Sequence, residues 1–280
     1  MAESIVQQDV RQFYDAVGWQ QVSEGVYQNA QYEDLRPVSR EYIHKCHLRV
    51  NRHLRHSGKY LLDAGSGPIQ YPEYLTYSEG YQYRVCLDIS IVALKDARDR
   101  IKNHGLFVVA DIARLPFRSD VFDDVVSLHT IHHLPPEDYK PAYFGLKHVM
   151  KPGATAVVVN GWSDSVFMRI FCFPMRIMEK LFHIGEDRTA DAKPTTDVIS
   201  KKPAGTFVHK LTTTSLRQLL GEDFPIKIAV WRSVSVRFLR AMIQPALLGK
   251  FWLKVLYMKE EWFPGFFGEK GQYPLITFKK

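Results

Sequence analysis

The sequence predicts an α/β fold, a mostly parallel sheet with helices on both faces. Three observations carry this. Tyr60-Leu61-Leu62-Asp63-Ala64 is a short apolar strand that runs into Gly65-Ser66-Gly67-Pro68, a turn whose glycines lack Cβ and so let backbone or ligand approach closely. Arg84-Val85-Cys86-Leu87-Asp88 and Leu106-Phe107-Val108-Val109-Ala110-Asp111 repeat the pattern, each an apolar run that ends in an acid. A helical stretch, residues 91–102, separates the second run from the third, and strand–helix alternation is what a parallel sheet needs. Ligands of such sheets bind outside the carboxyl ends of the strands, where these acids stand.

The remaining elements follow in chain order. Val6, Val10, Phe13 and Val17 recur at helical spacing, so residues 4–17 read as an amphipathic helix with Gly18 as its stop. Residues 37–56 read as a second helix with Ile43, Cys46/His47, Val50 and Leu54 as its buried stripe. It carries His44, His47, His53 and His56, but no carboxylate or cysteine in reach along the chain completes a site, so no metal is expected. After the glycine turn, Pro72 suits the first turn of a late-starting helix, and Tyr71, Glu73, Tyr74 and Tyr77 follow one another there. Val125 to Leu128 is a fourth strand, Pro135-Pro136-Glu137 opens a helix, and Lys151-Pro152-Gly153 turns into a fifth strand over residues 154–160. Residues 225–230 and 274–279 read as the sixth and last strands, and residues 211–216 as the start of a helix.

Two segments interrupt this plan. Residues 166–182 are almost wholly apolar apart from Arg169, Arg176, Glu179 and Lys180, and Pro174 should kink or split the helix they form. So wide an apolar face is buried by the fold, by substrate or by a membrane interface; the expectation is an apolar lid over a bound molecule. A second insertion, residues 241–271, is rich in Trp and Phe.

At 280 residues, 46% hydrophobic and 24% charged, the chain can bury one large core. Three cysteines, far apart, give neither a disulfide framework nor a zinc motif and suit a reducing, cytoplasmic setting. The polar start lacks a signal-peptide pattern, and no apolar run approaches the length of a membrane span. The net charge of +7 is uneven: residues 161–280 hold 19 Lys+Arg against 11 Asp+Glu, whereas residues 1–160 hold 18 against 19. That points to a solvated basic surface, an anionic substrate or a membrane surface; nucleic acid is disfavoured, for no dense Lys/Arg run appears.

In order and identity, these residues resemble a class I S-adenosylmethionine-dependent methyltransferase. Asp63-Ala64-Gly65-Ser66-Gly67 is similar to the family's first motif, Asp88-Ile89 to its ribose-binding acid and neighbour, and Asp111-Ile112 to its adenine contact. Phe122-Asp123-Asp124-Val125-Val126-Ser127-Leu128-His129 resembles the fourth motif, and Lys151-Pro152-Gly153 the turn before strand five. The competing nicotinamide-binding fingerprint wants a third glycine where Gln70 stands. The resemblance covers roughly residues 60–160. It implies a Rossmann-like sheet of seven strands, the last antiparallel, in a single domain. Residues 1–58 are then a helical N-terminal cap, 59–160 the cofactor-binding core, 161–210 an insertion or lid, and 211–280 the rest of the sheet with its aromatic insertion. It implies S-adenosyl-L-methionine as cofactor and S-adenosyl-L-homocysteine as product. Leu128 and Tyr14 join the residues above around the cofactor, since an N-terminal segment such as Phe13-Tyr14-Asp15 folds over it in small-molecule members.

Methyl transfer from a sulfonium is an in-line displacement, and the protein chiefly positions the partners. Ser127-Leu128-His129-Thr130 is not the turn that grips a base amino group, and Asp123 and Asp124 precede the fourth strand rather than end it, so a catechol-type metal site is disfavoured. His129-Thr130-Ile131-His132-His133-Leu134-Pro135 resembles the branch acting on quinones, sterols and other lipids. The reading is methylation of a small, largely apolar, anionic or neutral acceptor bound by Tyr71, Glu73, Tyr74 and Trp162. A base is needed only if the nucleophile arrives protonated; His133, then His132, then His129 are the candidates. The alternatives are an RNA or protein methyltransferase and a non-catalytic cofactor-binding protein.

Overall fold

The computed structural model describes residues 5–23, 26–29, 33–184 and 206–280. A two-stranded hairpin, β1 (Gln21–Ser23) with β2 (Val26–Tyr27), precedes the main sheet. That sheet holds β3 (Gly58–Ala64), β4 (Tyr81–Asp88), β5 (Gly105–Val109), β6 (Phe122–Leu128), β7 (Met150–Val159), β8 (Lys227–Arg232) and β9 (Tyr273–Lys279). Their order is β5-β4-β3-β6-β7-β9-β8, and β9 alone runs antiparallel to its neighbours β7 and β8. This is the seven-stranded, mostly parallel sheet the sequence predicts. The chain winds outward from β3 to β5, then restarts on the other side with β6, so the crevice between β3 and β6 is the switch point where ligands bind.

Both faces of the sheet are covered, which is why its central strands are apolar throughout. Leu62, Val125 and Val158 point to one face, against α5 (Tyr139–Val149) and α8 (Thr213–Leu220). Leu61, Val126 and Val157 point to the other, against Val50, Tyr77 and Trp231. On that side α4 (Ile91–Ile101) lays Leu94 and Ala97 on Cys86 and Ile69. Ser90 and Thr212 accept the N–H groups of Ala93 and Ser215, capping α4 and α8.

The N-terminal cap begins with α1 (Ile5–Phe13), which buries Val10 and Phe13 and ends in a π-turn, Tyr14–Gly18. In α2 (Arg40–Leu48) and the 3-10 turn after it the expected stripe of Ile43, Cys46, His47 and Val50 is buried. A short α3 (Pro72–Leu75) starts at the proline, as expected.

The two insertions pack on the cap. The first splits into α6 (Val166–Ile170) and α7 (Cys172–Leu181): Pro174 has no N–H for Ile170, and its ring would clash with that carbonyl. The second forms α9 (Val236–Met242), α10 (Gly249–Trp262) and α11 (Pro264–Lys270). Met175, Phe238, Leu239 and Leu253 of these helices share a core with Ile43 and Cys46 of α2. This corrects the lid expectation: none of residues 166–182 lines the large cavity described below, because their buried side is taken by α9. Of the expected 161–210 insertion, residues 185–205 lie outside the described residues. Among the described residues no helix is long and apolar enough to cross a membrane.

A buried carboxylate ties α10 to the sheet and to α2. Glu260, fully buried, accepts from Tyr42 Oη at 2.7 Å and the Ser233 N–H at 2.9 Å, bonds the Ser233 hydroxyl, and lies 3.0 Å from Arg49 Nη1. Removing one partner of such a group strands the rest. Glu260→Ala should cost about 3–5 kcal/mol of stability, read as a shift of the urea midpoint. A loss below about 1 kcal/mol would show that the network contributes little.

Candidate active site

A cavity of about 460 Å³ opens at the carboxyl ends of β3, β4 and β6, in the size range of small-molecule sites. Its floor is the glycine turn. Gly65 and Gly67 have φ of +81° and +53°, in the region that favours glycine. A Cβ on Gly65 would fall 2.1 Å from Thr130 Oγ1, and one on Gly67 would fall 3.0 Å from the Trp19 ring. Ser66 lines the cavity with them; Ala64 does not, being packed in the core below.

Three acids ring this floor. Asp63 is fully engaged by Arg84, which meets it through Nε at 3.0 Å and through Nη2, both partners buried. Asp88 accepts from the Gly67 N–H at 2.9 Å and the Ser90 N–H at 2.9 Å. Burial pushes it up to about 6, against those two N–H groups and helped by the nearby charges of Asp63 and Asp15. Asp111 accepts from Gln7 Nε2 at 2.7 Å and the Ala113 N–H at 2.9 Å, and pairs with Arg114 at 2.5 Å. Ile89, Ile112 and Leu128 supply apolar wall between them.

The N-terminal cap roofs the cavity. Tyr14 stacks on Trp19 with ring centroids 4.9 Å apart, and its hydroxyl lies 2.9 Å from His133 Nε2. The other nitrogen of that imidazole, Nδ1, is 2.8 Å from the Phe207 carbonyl. His132 Nδ1 lies 3.3 Å from Asn160 Oδ1. His129, at φ +56°, is turned edge-on to Trp231 and Tyr273. Burial drives all three imidazoles toward the neutral form: His133 to about 4, His129 to about 3, and His132 well down, with His133 and His129 repelling its charge further.

Beyond the histidines lies a compartment of which the sequence reading named only Tyr71 and Tyr74. Tyr71, Tyr74, Trp231 and Tyr273 wall it, with Arg232, Glu33 and Lys210 among them. Arg232 meets Glu33 at the centre, and its guanidinium lies 4.7 Å from the Tyr273 ring. His47 sits 3.7 Å from Glu33 and 3.6 Å from Glu73, ion-pair contacts too long for hydrogen bonds. Burial opposes its charge, but the two carboxylates outweigh that and hold its pKa up. Glu33 and Glu73 are in turn held at about 2, burial being overcome by Arg232 and His47 in one and by His47 and His44 in the other. Two of the helix histidines, His44 and His47, thus do meet carboxylates, as ion pairs; no group fit to hold a metal occurs among the described residues.

Two expected acceptor contacts are elsewhere. Trp162 is buried outside this cavity, its Nε1 donating to the Gly268 carbonyl at 2.8 Å to join β7's end to α11. Glu73 faces His44 at 2.6 Å and His47, not the cavity. The residues missed are Trp19, Glu33, Arg84, Lys210, Trp231, Arg232 and Tyr273. Arg84 carried a signal, a cation inside an apolar run. Trp231 and Arg232 lay just past the predicted end of strand six.

Some polar atoms at the site are unpaired. Trp19, Thr206, Trp231 and Arg232 line the cavity, and the buried atoms Trp19 Nε1, Thr206 Oγ1, Trp231 Nε1 and Arg232 Nε have no hydrogen-bond partner among the described residues. Buried polar groups are otherwise nearly always paired. A glycine cradle, a buried acid that takes two backbone N–H groups, and apolar wall between acids fit an adenosyl group bound across the switch point.

The imidazoles offer a direct check. Nitrogen-detected NMR should find His129, His132 and His133 neutral at pH 7 and His47 titrating above its ordinary value. Below about 6.5 the unfolded chain then binds protons that the three neutral imidazoles refuse, so their part in stability is lost as the pH falls. His47 acts in the opposite sense, its contribution fading as the pH rises through its raised pKa. His133 titrating near its ordinary value would contradict this burial.

Residues 62–158 match the family model of the methyltransferase domain. No protein of curated function matches the sequence. Among solved structures, a putative methyltransferase of Haloferax volcanii, in complex with its Trm112 activator, aligns at a TM-score of 0.52 and 16% identity, over 86% of this chain and 91% of that one. The [4+2]-cyclase SpnF aligns at 0.52 and 15%, over 98% and 96%. Phosphoethanolamine N-methyltransferase 2 of Haemonchus contortus, in complex with S-adenosyl-L-methionine, aligns at 0.50 and 13%, over 84% and 52%. The matched domain supports an S-adenosylmethionine-dependent methyltransferase, and these solved structures share the fold around it.

Proposed function

We propose that this enzyme methylates a small, largely apolar acceptor bearing an anionic group, and that His133 takes the acceptor's proton through Tyr14. The observation that carries this is the Tyr14–His133–Phe207 chain. A carbonyl only accepts, so His133 Nδ1 holds the hydrogen that meets Phe207 at 2.8 Å. Nε2 is left with its lone pair, and the Tyr14 hydroxyl donates to it at 2.9 Å. Tyr14 Oη can then accept a proton from a nucleophile as it passes its own to His133. Burial keeps that imidazole neutral and ready at physiological pH.

Bound S-adenosylmethionine supplies an electrophilic methyl group on a sulfonium. Asp88 is suited to accept from the ribose hydroxyls, Asp111 to face the adenine amino group, and the backbone at Gly65 and Gly67 to receive the chain between. Aromatic walls at Trp231, Tyr273, Tyr71 and Tyr74 suit an apolar acceptor body. Support for an anion comes from Lys210: it lines the cavity, no carboxylate among the described residues pairs with it, and burial pulls its pKa down. An anion there would relieve that cost.

Two outcomes are expected. Calorimetry of Asp88→Ala should show donor affinity weakened by about 1.5–3 kcal/mol, the worth of charged hydrogen bonds. In the wild type, donor affinity should fall as the pH drops below about 6, since protonation of Asp88 removes an acceptor. Unchanged affinity in both experiments would remove Asp88 from the donor site.

The second test starts from labelled donor and fractionated cell extract, which identifies the acceptor by the label it gains. With that acceptor, His133→Gln and Tyr14→Phe should each lower the maximal rate by about 10²–10⁴. His132→Gln should stay within about threefold of wild type, since a group outside the proton path leaves the barrier almost unchanged. Near wild-type rates for the first two variants would move the proton elsewhere.

A further inference from the structure

We infer that α10 and α11 form a face that docks the enzyme flat on an anionic lipid surface. The inference stands apart from the identity of the acceptor, since no residue of either helix lines the cavity. α10 turns Gly249, Leu253 and Glu260 into the protein. At 100° per residue, the side directly opposite collects Leu248, Phe251, Val255, Met258 and Trp262, with Trp252 at its edge. A helix packed by one face should carry polar residues there. Instead Phe251 is 55% exposed, Trp252 56% and Trp262 64%, and the surface continues with exposed Phe263, between the two helices, and Phe266 of α11. Contiguous apolar surface of this kind marks an interaction site.

The charges select the occupant. Lys250, Lys254 and Lys259 are exposed on α10. Its acids are spent elsewhere: Glu260 is buried in the core, and Glu261 is held by Arg49 and Arg52. On the neighbouring elements Glu41 is paired with Lys45, and Glu269 with Arg217. The face is therefore apolar and aromatic with cations around it, the composition of a helix lying in a headgroup region, where indole rings settle and lysines meet anionic lipids. With 14 residues α10 is too short to span a bilayer. The same layer extends through Phe167, stacked 5.2 Å from Phe267, into α6 and α7. There Phe173, Ile177 and Leu181 are exposed beside Arg176 and Lys180.

The test is co-sedimentation of the full chain with vesicles of phosphatidylcholine alone and of phosphatidylcholine with phosphatidylglycerol, at low and high salt. The wild type should pellet with the anionic vesicles and be released by salt. Phe251→Ser with Trp262→Ser should weaken partitioning at least ~tenfold. Lys250→Gln with Lys254→Gln should weaken it about thirtyfold on anionic vesicles, with no effect on neutral ones. Donor binding by calorimetry should be unchanged in both variants, which certifies that they fold. Failure of the wild type to bind either vesicle, or unchanged partitioning of the Phe251/Trp262 variant, would overturn the inference. So would light scattering that finds a wild-type dimer and a monomeric Phe251/Trp262 variant, which would make the face a contact between copies of the chain.

Discussion

No side chain fits at Gly65. The turn after β3 presses against Thr130, and a single added carbon would land 2.1 Å from its hydroxyl oxygen. This contact joins the ends of β3 and β6, the two strands between which the sheet changes winding direction. Everything in the site is measured from it. Gly67 gives its N–H to Asp88, Thr130 leads into His132 and His133, and the cap lays Trp19 over Gly67. The turn stays bare because it is crowded from one side and must be open to a ligand on the other.

Around that turn the protein keeps many charges out of water and nearly all in pairs. Asp63 with Arg84, Glu33 with Arg232, and Glu260 with Arg49 are buried on both sides. Such pairs add little net stability, since desolvation offsets attraction. What they impose is geometry: Arg232 links strand β8 to the segment at Glu33, and Arg49 links α2 to α10. Asp88 is the contrast. It has N–H partners but, among the described residues, no cation, and burial leaves it raised. An acid in that state gains from ligand hydroxyls, whereas Asp63, already satisfied by Arg84, has less to offer one.

The legible part of this structure was local. Strands read as apolar runs ending in acids, and a proline predicted the break between α6 and α7, because those signals are set by neighbours in the chain. The residues expected around the donor came from short motifs in order along residues 63–128, with Tyr14 added, and all but Ala64 face the cavity. Of the acceptor end only Tyr71 and Tyr74 were legible. Glu33, Lys210, Trp231, Arg232 and Tyr273 come from segments up to 240 residues apart, brought together by the order of β8 and β9 in the sheet. Trp162 and Glu73 were assigned by proximity to motifs, yet one is claimed by the Gly268 carbonyl and the other by two histidines. The apolar 166–182 segment had the composition of a lid, but composition does not say which neighbour covers it. Here α9 does.

The central claim is that the donor sits across the switch point with its reactive end toward the Tyr14–His133 pair. A crystal structure with S-adenosylhomocysteine tests it most directly. The account predicts the ribose on Asp88, the adenine beside Asp111 and Ile112, and the thioether sulfur facing the compartment of Tyr14, His133 and Trp231. Adenosyl density outside this crevice would contradict it, as would a bound state in which Tyr14 has left His133.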